Sequence, residues 1–450
     1  MDKKVKVRFP PSPTGYCHVG TARMAVLNFL FAKKHGGSIV FRSEDTDRER
    51  STKEFEEDIV RELKWLGITW DEFYRTTEMA ERHGEAMRSL ADADKAYTSS
   101  EESKKDPGKM VEVVRLRNPG TTITFTDIIR GDITFDTTEL GDFVIGRSID
   151  DPLYHLAVVV DDAADGITHI IRGEDHISNT PRQILIQEAL GYPRPLYAHF
   201  PLHLAADRAK LSKRKGDVAV RSYREKGYLP EALFNYLAML GWTPPSEREI
   251  MTKEEMIAEF DLHDLHKSAA VFDLEKLRWF NRQYLERKTP ESFALYAAPA
   301  LKEALAKRDL PYHEETSHKI MPLIRERTHT AEDIATMVKA GDLDFFFKHP
   351  SLDIRLIPEK KSTATEAHTH LQKTLERLAD IPEGEWSAER VKQAIWGYAT
   401  EMGRGAVLWP LRYALSGAEK SSDPFTIAAA IGKATTRERI THAIDVLRRI

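Results

Sequence analysis

Two short segments, almost two hundred residues apart, carry side chains suited to phosphate chemistry. The first, PTGYCHVGT at 13–21, places His18, Gly20 and Thr21 where a loop gives way to an apolar helical pattern. Glycine lets a nucleotide approach the backbone, a helix N-terminus favours phosphates, and an imidazole can hydrogen-bond a phosphoryl oxygen as charge builds there. The lysine of a Walker motif is missing, which disfavours a conventional phosphate loop. Taken alone, the segment is better explained as an ordinary strand-to-helix turn.

The second segment is KLSKRKG at 210–216, inside a basic stretch. Residues 203–226 hold eight Lys or Arg against three Asp or Glu. Two lysines three residues apart, Lys210 and Lys213, suit a clamp on a triphosphate. Taken alone, the same charges describe a solvated surface loop or a nucleic-acid patch equally well.

The elements around these segments alternate between strand and helix. The hydropathy patterns predict strands at 4–9, 38–41 and 166–172, and helices at 21–34, 51–66, 154–162 and 179–190. This order predicts a parallel α/β sheet, whose ligands bind at the carboxyl ends of the strands. The helix at 51–66 has a start that resembles a capping box, Ser51 to Glu54. Period-two alternation within 111–147 predicts inserted antiparallel hairpins, and the chain after Gly227 reads as mostly helical.

Length and composition restrict the class of protein. A chain of 450 residues is expected to form two to four domains. It is 41% hydrophobic and 30% charged, with a net charge of −5, which excludes a largely disordered chain. The single cysteine, Cys17, excludes an intrachain disulfide. No apolar run reaches the roughly 18 residues of a membrane helix, and the N-terminus has no signal-peptide pattern, so a cytoplasmic location is expected.

Together, the two phosphate segments resemble the signatures of class I aminoacyl-tRNA synthetases, and the intervening residues resemble the glutamyl-tRNA synthetase family. Matches run in order along nearly the whole chain: VRFPPSPTG at 7–15, FRSEDTD at 41–47, YHLAVVVDD at 154–162, IRGEDH at 171–176, SNTPRQ at 178–183 and WPLRYALSG at 409–417. The resemblance implies a Rossmann-like parallel sheet with a small β-rich insertion, followed by an all-helical C-terminal region. The implied domains are catalytic halves at 1–96 and 151–225, an acceptor-end-binding insertion at 97–150, a stem-contact helical region at 226–300 and an anticodon-binding region at 301–450.

The resemblance also implies an activity. The family activates L-glutamate with ATP, releases pyrophosphate, and passes the glutamyl group to the 3′-terminal adenosine of glutamate tRNA. Attack by a carboxylate on the α-phosphate needs positioning and charge stabilisation, not a side-chain nucleophile. By position, the catalytic residues are His18, Lys210 and Lys213. ATP is also expected to contact Gly20, Thr21, Leu211 and Ser212, with Mg²⁺ on its phosphates. Glutamate is expected to bind Arg8, Ser12, Glu44, Tyr154 and Arg172, with the two arginines on its carboxylates and Glu44 on its amino group.

Two departures from the family pattern stand out. Pro10 replaces the usual alanine and removes one backbone donor beside the pocket. Residues 97–102, where many relatives begin a cysteine-rich zinc module, contain neither cysteine nor histidine. We therefore expect no zinc and a shortened insertion. The family expectation is a monomer.

Individual residues distinguish between several alternative functions and residue roles. The cation at Arg172 favours glutamate over glutamine as the amino acid. The choice of tRNA stays open, because an enzyme that binds glutamate can charge glutamine tRNA as well as glutamate tRNA. A non-catalytic tRNA-binding paralogue is disfavoured because His18, Lys213 and Arg172 are all present. The adjacent pair Asp161–Asp162 is predicted to be structural, since neighbouring helical side chains point in different directions. Five histidines are predicted to be ordinary residues rather than ligands: His155, His169, His176, His368 and His370.

Overall fold

The computed structural model describes residues 4–103, 106–204 and 218–449. The chain divides into an N-terminal unit, Met1–Tyr284, and a C-terminal unit, Leu285–Ile450. The N-terminal unit contains the strands, and the regular elements in the described part of the C-terminal unit are helices joined by loops.

Parallel strands form the base of the N-terminal unit. They are β1 (Lys6–Phe9), β2 (Ser38–Ser43) and β3 (Glu72–Arg75), paired in that order, and β10 (His169–Gly173) with β11 (Leu196–Phe200). The N–H of Thr168 donates to the carbonyl of Lys6 at 2.9 Å, so β10 lies beside β1. From this junction the chain adds β2 and β3 outward on one side of the sheet and β11 outward on the other. The strand order therefore reverses here, which makes the junction a topological switch point. The predicted Rossmann-like parallel sheet is confirmed.

Helices cover this sheet: α1 (Val19–Lys34), α2 (Lys53–Trp65), α3 (Ala80–Asp92), α4 (Tyr154–Ala164) and α5 (Thr180–Leu190). The start of α2 differs from the expected one by one residue. Its N-cap is Thr52, whose hydroxyl accepts the N–H of Phe55 at 3.2 Å. Ser51 is instead part of the preceding turn, because its N–H donates to the carbonyl of Asp47 at 2.8 Å.

The predicted antiparallel hairpins are present between the two halves of the parallel sheet. Four strands form one small sheet: β4 (Ala96–Glu102), β5 (Met110–Leu116), β8 (Phe143–Ser148) and β9 (Asp151–Pro152). A separate hairpin consists of β6 (Thr122–Asp127) and β7 (Gly131–Asp136). This hairpin joins the parallel sheet, since Asp127 of β6 pairs with Tyr197 of β11. Its turn includes Gly131 at φ +83°, a backbone conformation that glycine adopts without steric cost.

Helices make up most of the chain after Gly227, as the sequence predicts. The remaining elements of the N-terminal unit are β12 (His203–Leu204), β13 (Ala270–Val271), α6 (Val220–Glu225), α7 (Pro230–Met239), α8 (Lys253–Glu259) and α9 (Leu274–Glu286), which ends just past the unit boundary. The C-terminal unit contains α10 (Pro290–Ala306), α11 (Glu314–Arg327), α12 (Ala331–Ala340), α13 (Asp344–Phe347), α14 (Ala364–Ala379), α15 (Ala388–Met402), α16 (Arg404–Ser416) and α17 (Pro424–Leu447). Of the helices in the described ranges, none combines the length and apolar character needed to cross a membrane.

Candidate active site

A cleft of about 500 Å³ lies where β1, β2 and β10 end. Eight residues singled out from the sequence line it: Arg8, Ser12, His18, Gly20, Thr21, Glu44, Tyr154 and Arg172. They come from three strand ends, the loop after β1 and the first turns of α1 and α4. Parallel strands bring these distant segments together because their carboxyl ends meet at one edge of the sheet. The other four predicted residues, Lys210, Leu211, Ser212 and Lys213, lie outside the described residues.

His18 is the N-cap of α1, and its ring orientation is fixed by the backbone. Its Nδ1 accepts the N–H of Gly20 at 3.0 Å. In the neutral ring the proton is then on Nε2, which is the nitrogen that can donate to a ligand. Gly20 and Thr21 place the start of α1 at the same wall of the cleft, where the helix dipole favours an anion.

Backbone hydrogen bonds join the histidine segment to the residues that follow the lysine-rich segment. The N–H of Val19 donates to the carbonyl of Val218, and the N–H of Val220 donates to the carbonyl of Cys17, both at 2.8 Å. The chain therefore re-enters the described fold directly beside His18.

Arg8 and Glu44 are held by one buried ionic network behind the cleft. Arg8 Nε donates to Asp162 Oδ1 at 3.2 Å, and Arg42 Nη2 donates to the same oxygen at 2.9 Å. Arg42 Nη2 also lies 3.5 Å from Glu44 Oε1. Burial alone would raise the pKa of Asp162, but Arg8 and Arg42 outweigh burial and hold it below its usual value. The network orients a cation and an anion toward the same space.

Two buried atoms of this network carry unmet hydrogen-bonding capacity. Among the described residues, neither Arg8 Nη1 nor Glu44 Oε1 has a hydrogen-bond partner. Burial raises the pKa of Glu44 to about 7, although Arg42 and Arg8 act against that rise. Buried polar atoms without partners are costly, so both atoms favour a ligand that supplies the complementary groups.

The neighbouring carboxylate, Asp161, also lies near Arg42, with 3.8 Å between Asp161 Oδ2 and Arg42 Nε, but its hydrogen bonds go to other residues. Asp161 Oδ1 accepts from Arg82 Nε at 2.8 Å and lies 2.6 Å from His83 Nε2. Asp161 and Asp162 thus point in different directions and both support the cleft wall from behind. This arrangement agrees with the structural role expected for the pair.

Arg172 is a buried cation without an ion pair in the part of the chain that the structure describes. It is 3% exposed, and none of the described carboxylates lies within 4.0 Å of its guanidinium. Its Nε donates to His199 Nε2 at 3.1 Å and its Nη2 donates to Thr180 Oγ1 at 2.9 Å. Nη1 has no described partner. Burial lowers the pKa of Arg172, which reports the cost of keeping this charge away from water.

Eight further residues, outside the predicted set of ligand contacts, complete the lining of the cleft. Pro10, Pro11, Met24, Phe200 and Leu202 give it apolar walls. Glycine and polar residues complete the lining: Gly173, Asp175 and His176. The last three come directly at or after the end of β10, and this position could have identified them.

His176, which we expected to be an ordinary residue, lies at the cleft. Its Nδ1 is 3.4 Å from the hydroxyl of Tyr154. Burial lowers the pKa of His176 to about 4, and burial raises that of Tyr154 to about 12, so both groups are uncharged near neutral pH. They provide neutral hydrogen-bonding groups beside Arg172.

The charge pattern selects a particular kind of ligand. The guanidinium groups of Arg8 and Arg172 and the carboxylate of Glu44 line a largely apolar cleft, to which Asp175 adds a second carboxylate. A planar guanidinium pairs well with a carboxylate, and Glu44 suits an ammonium group. An amino acid with a second carboxylate has this complement of charges. No three His, Cys, Asp or Glu side chains within 4–103, 106–204 and 218–449 are grouped as metal ligands.

Comparisons with known proteins agree with this chemistry. A family model described as tRNA synthetases class I (E and Q), catalytic domain, matches residues 4–106 and 98–279, and an anticodon binding domain model matches 293–444. The chain is 40% identical to a glutamate–tRNA ligase of Aquifex aeolicus over 99% of each sequence. It is 38% identical to that of Carboxydothermus hydrogenoformans over 98% of this chain and 100% of the relative. It is also similar to the crystal structure of a glutamate tRNA ligase from Elizabethkingia meningosepticum in complex with its amino acid, with a TM-score of 0.86, 33% identity, and coverage of 99% and 100%.

Proposed function

Since this chain belongs to the class I tRNA synthetases of the glutamate and glutamine group, we propose that the cleft between β1, β2 and β10 is where it activates L-glutamate. The chain is an aminoacyl-tRNA synthetase that forms glutamyl-adenylate from glutamate and ATP and transfers the glutamyl group to tRNA. The observation that carries the assignment to this cleft is Arg172, a buried cation without a described counter-ion that lines the same cleft as Arg8 and Glu44.

Glutamate recognition follows from the unmet hydrogen bonds of the cleft. Arg8 and Arg172 each offer a buried Nη1 to a carboxylate, and Glu44 Oε1 accepts from the α-ammonium group. Ser12 and Tyr154 line the same space and add neutral hydrogen-bonding groups. Glutamine would leave one cation facing an amide, so its binding forgoes a charge-assisted hydrogen bond.

Activation requires in-line attack by an α-carboxylate oxygen of glutamate on the α-phosphorus of ATP. The new bond joins that oxygen to phosphorus, and the bond to the bridging oxygen breaks as pyrophosphate leaves with the electron pair. No side-chain nucleophile takes part, so the protein positions the reactants and stabilises charge. His18 donates from Nε2 to a phosphoryl oxygen, and Gly20 and Thr21 hold phosphates at the start of α1.

The lysine-rich segment completes the phosphate site in this proposal. Lys210 and Lys213 neutralise charge on the phosphates, and Leu211 and Ser212 contact the nucleotide, as the resemblance implies. Support comes from the hydrogen bonds that fix Val218 and Val220 beside His18.

Mg²⁺ is expected to bind together with ATP. The described lining of the cleft includes only two carboxylates, Glu44 and Asp175, and Glu44 is committed to the ammonium group. This donor set fits an ion held mainly by phosphate oxygens and water, with Asp175 available as a protein ligand. The ion would neutralise charge on the leaving pyrophosphate.

The tRNA partner is assigned by the two-part organisation of the chain. We assign the anticodon to the helical unit, because the anticodon binding domain model matches 293–444 there. We also assign binding of the tRNA acceptor end to the insertion at 97–150. We expect the enzyme to be a monomer located in the cytoplasm, where ATP and tRNA are available.

The first experiment is ATP–pyrophosphate exchange with glutamate or glutamine, each with and without glutamate tRNA. Exchange with glutamate, dependent on tRNA, is the expected result. Absence of exchange under every condition would overturn the assigned cleft chemistry. Aminoacylation of purified glutamine tRNA with glutamate then separates an enzyme restricted to glutamate tRNA from one that charges both.

A further inference from the structure

We propose that Asp127, His199 and Thr180 act together as an arginine brace, which positions Arg172 while leaving its positive charge unneutralised. The brace is thereby a specificity determinant for glutamate against glutamine. This inference rests on the proposed function, because it assumes that Arg172 receives the side-chain carboxylate.

The brace is assembled from separate elements of the sheet. Arg172 on β10 and His199 on β11 are directly paired in the parallel register. Asp127 ends β6, and Thr180 begins α5. Each of the four side chains is at most 3% exposed. Four buried polar residues in contact form a network whose members fix one another's orientation.

The hydrogen bonds of His199 determine its tautomer. Arg172 Nε is always a donor, so His199 Nε2, 3.1 Å away, is the acceptor. The ring proton is then on Nδ1, which donates to Asp127 Oδ2 at 2.7 Å. Burial lowers the pKa of His199 against the opposing effect of Asp127, so the ring stays neutral near pH 7.

Asp127 is itself fixed by backbone groups. Its Oδ1 accepts the N–H groups of Ile129 and Arg130, both at 3.0 Å, and its Oδ2 accepts the N–H of His199 at 2.9 Å. An asparagine at 127 would present an amide N–H₂ to at least one of these donors. The carboxylate is therefore required to keep the His199 tautomer that accepts from Arg172.

Thr180 provides the second neutral acceptor. Its Oγ1 accepts from Arg172 Nη2 at 2.9 Å and is donor to the carbonyl of His176 at 3.1 Å. The guanidinium is thus held at Nε by an imidazole and at Nη2 by a hydroxyl, which leaves Nη1 without a described partner.

The chemical identity of the brace explains the preference it creates. A carboxylate in direct contact would orient Arg172 equally well but would neutralise it, and a neutral amide ligand could then compete. The neutral acceptors His199 and Thr180 orient the guanidinium without neutralising it. The charge of Asp127 is separated from Arg172 by the ring of His199. The uncompensated charge is available for the ligand's carboxylate, which is the group that glutamine lacks.

The test measures KM for glutamate and for ATP in full-length variants, by ATP–pyrophosphate exchange with glutamate tRNA present. His199→Leu and Asp127→Asn are expected to raise KM for glutamate about tenfold to a hundredfold, the effect of one hydrogen bond to a charged group. KM for ATP should stay at the wild-type value, and discrimination against glutamine should fall. His199→Gln, whose amide oxygen can accept from Arg172, should recover part of the glutamate affinity.

Controls separate positioning from a general structural effect. His169→Leu removes a histidine of β10, the strand that carries Arg172, at a position outside the cleft. This variant should leave both KM values unchanged. If Asp127→Asn does not fold, a comparison of Thr180→Val with Thr180→Ser tests the second acceptor. Only the valine variant, which lacks the hydroxyl, should have a raised KM for glutamate. Wild-type KM for glutamate in both His199→Leu and Thr180→Val would overturn the brace, as would equal changes in KM for both substrates. Absence of exchange by the wild-type enzyme would instead refute the proposed function.

Discussion

Replacement of Arg172 by methionine is expected to impair glutamate use without weakening the fold. The substitution removes a buried charge and leaves an unbranched apolar side chain of similar length. In the free protein this charge has no described counter-ion, and burial lowers its pKa. Its two hydrogen-bond partners are not abandoned, because His199 Nε2 and Thr180 Oγ1 lie 3.2 Å apart and can bond each other. Stability and activity should therefore respond in opposite directions.

The magnitudes follow from the environment of the guanidinium. Loss of one partner of a buried, hydrogen-bonded charge pair costs roughly 2–5 kcal/mol of binding, or about 30-fold to several thousand-fold in KM for glutamate. Replacement of a buried ionic group by a packed apolar one is often neutral or stabilising by about 1–4 kcal/mol. We therefore expect the free energy of unfolding to be unchanged or higher.

The assay pairs exchange kinetics with urea unfolding of the same preparations. The expected variant has a greatly raised KM for glutamate, a wild-type KM for ATP, a smaller preference for glutamate over glutamine, and an unfolding midpoint at or above that of the wild type. A lower midpoint together with parallel changes in both KM values would refute the reasoning, since Arg172 would then be a stabilising core residue. Arg172→Ala is less informative because it also creates a cavity.

Further predictions concern the ionic network and metal content. Glu44 must be ionised to accept the ammonium group, so kcat/KM for glutamate should fall about tenfold per pH unit below pH 7, and a flat profile from pH 8 to 5 would contradict the assignment. The pKa of Glu44 in the folded state, about 7, exceeds its unfolded value, so the folded state binds more protons than the unfolded state between about pH 4.5 and 7 and loses stability as pH rises through that window. Glu44→Gln should therefore be about 3 kcal/mol more stable than the wild type above pH 7 and equal to it near pH 4. Urea unfolding measures this difference. Asp162→Asn leaves Arg8 and Arg42 without their shared anion, and should lower the free energy of unfolding by about 3 kcal/mol and raise KM for glutamate. Elemental analysis of the purified protein should detect no stoichiometric zinc, and one zinc per chain would refute the interpretation of residues 97–102.

The sequence was informative where function depends on residues at strand ends. Arg8, Glu44 and Arg172 were predicted from the resemblance to the family, and all three line one cleft because the parallel sheet brings the ends of its strands together. The partners that orient Arg172 were not predictable in this way. His199 is placed by strand register and Asp127 by the docking of a hairpin, and neither contact leaves a periodic signal along the chain. Even Thr52 was missed as a cap, since the choice between Ser51 and Thr52 depends on the turn before them.

The hairpin β6–β7 also limits how this gene can be recombined. Between β3 and β10 the chain forms one small sheet of its own, but the hairpin within that stretch pairs with β11 and supplies Asp127. A crossover that exchanged all of 97–150 between two synthetases would therefore transfer Asp127, the partner of His199, together with the small outer sheet. Breakpoints that preserve amino-acid choice should fall between β5 and β6 and between β7 and β8, at 117–121 and 137–142. Lengthening or trimming the outer sheet would leave this pairing intact, whereas the hairpin has to stay together with β11.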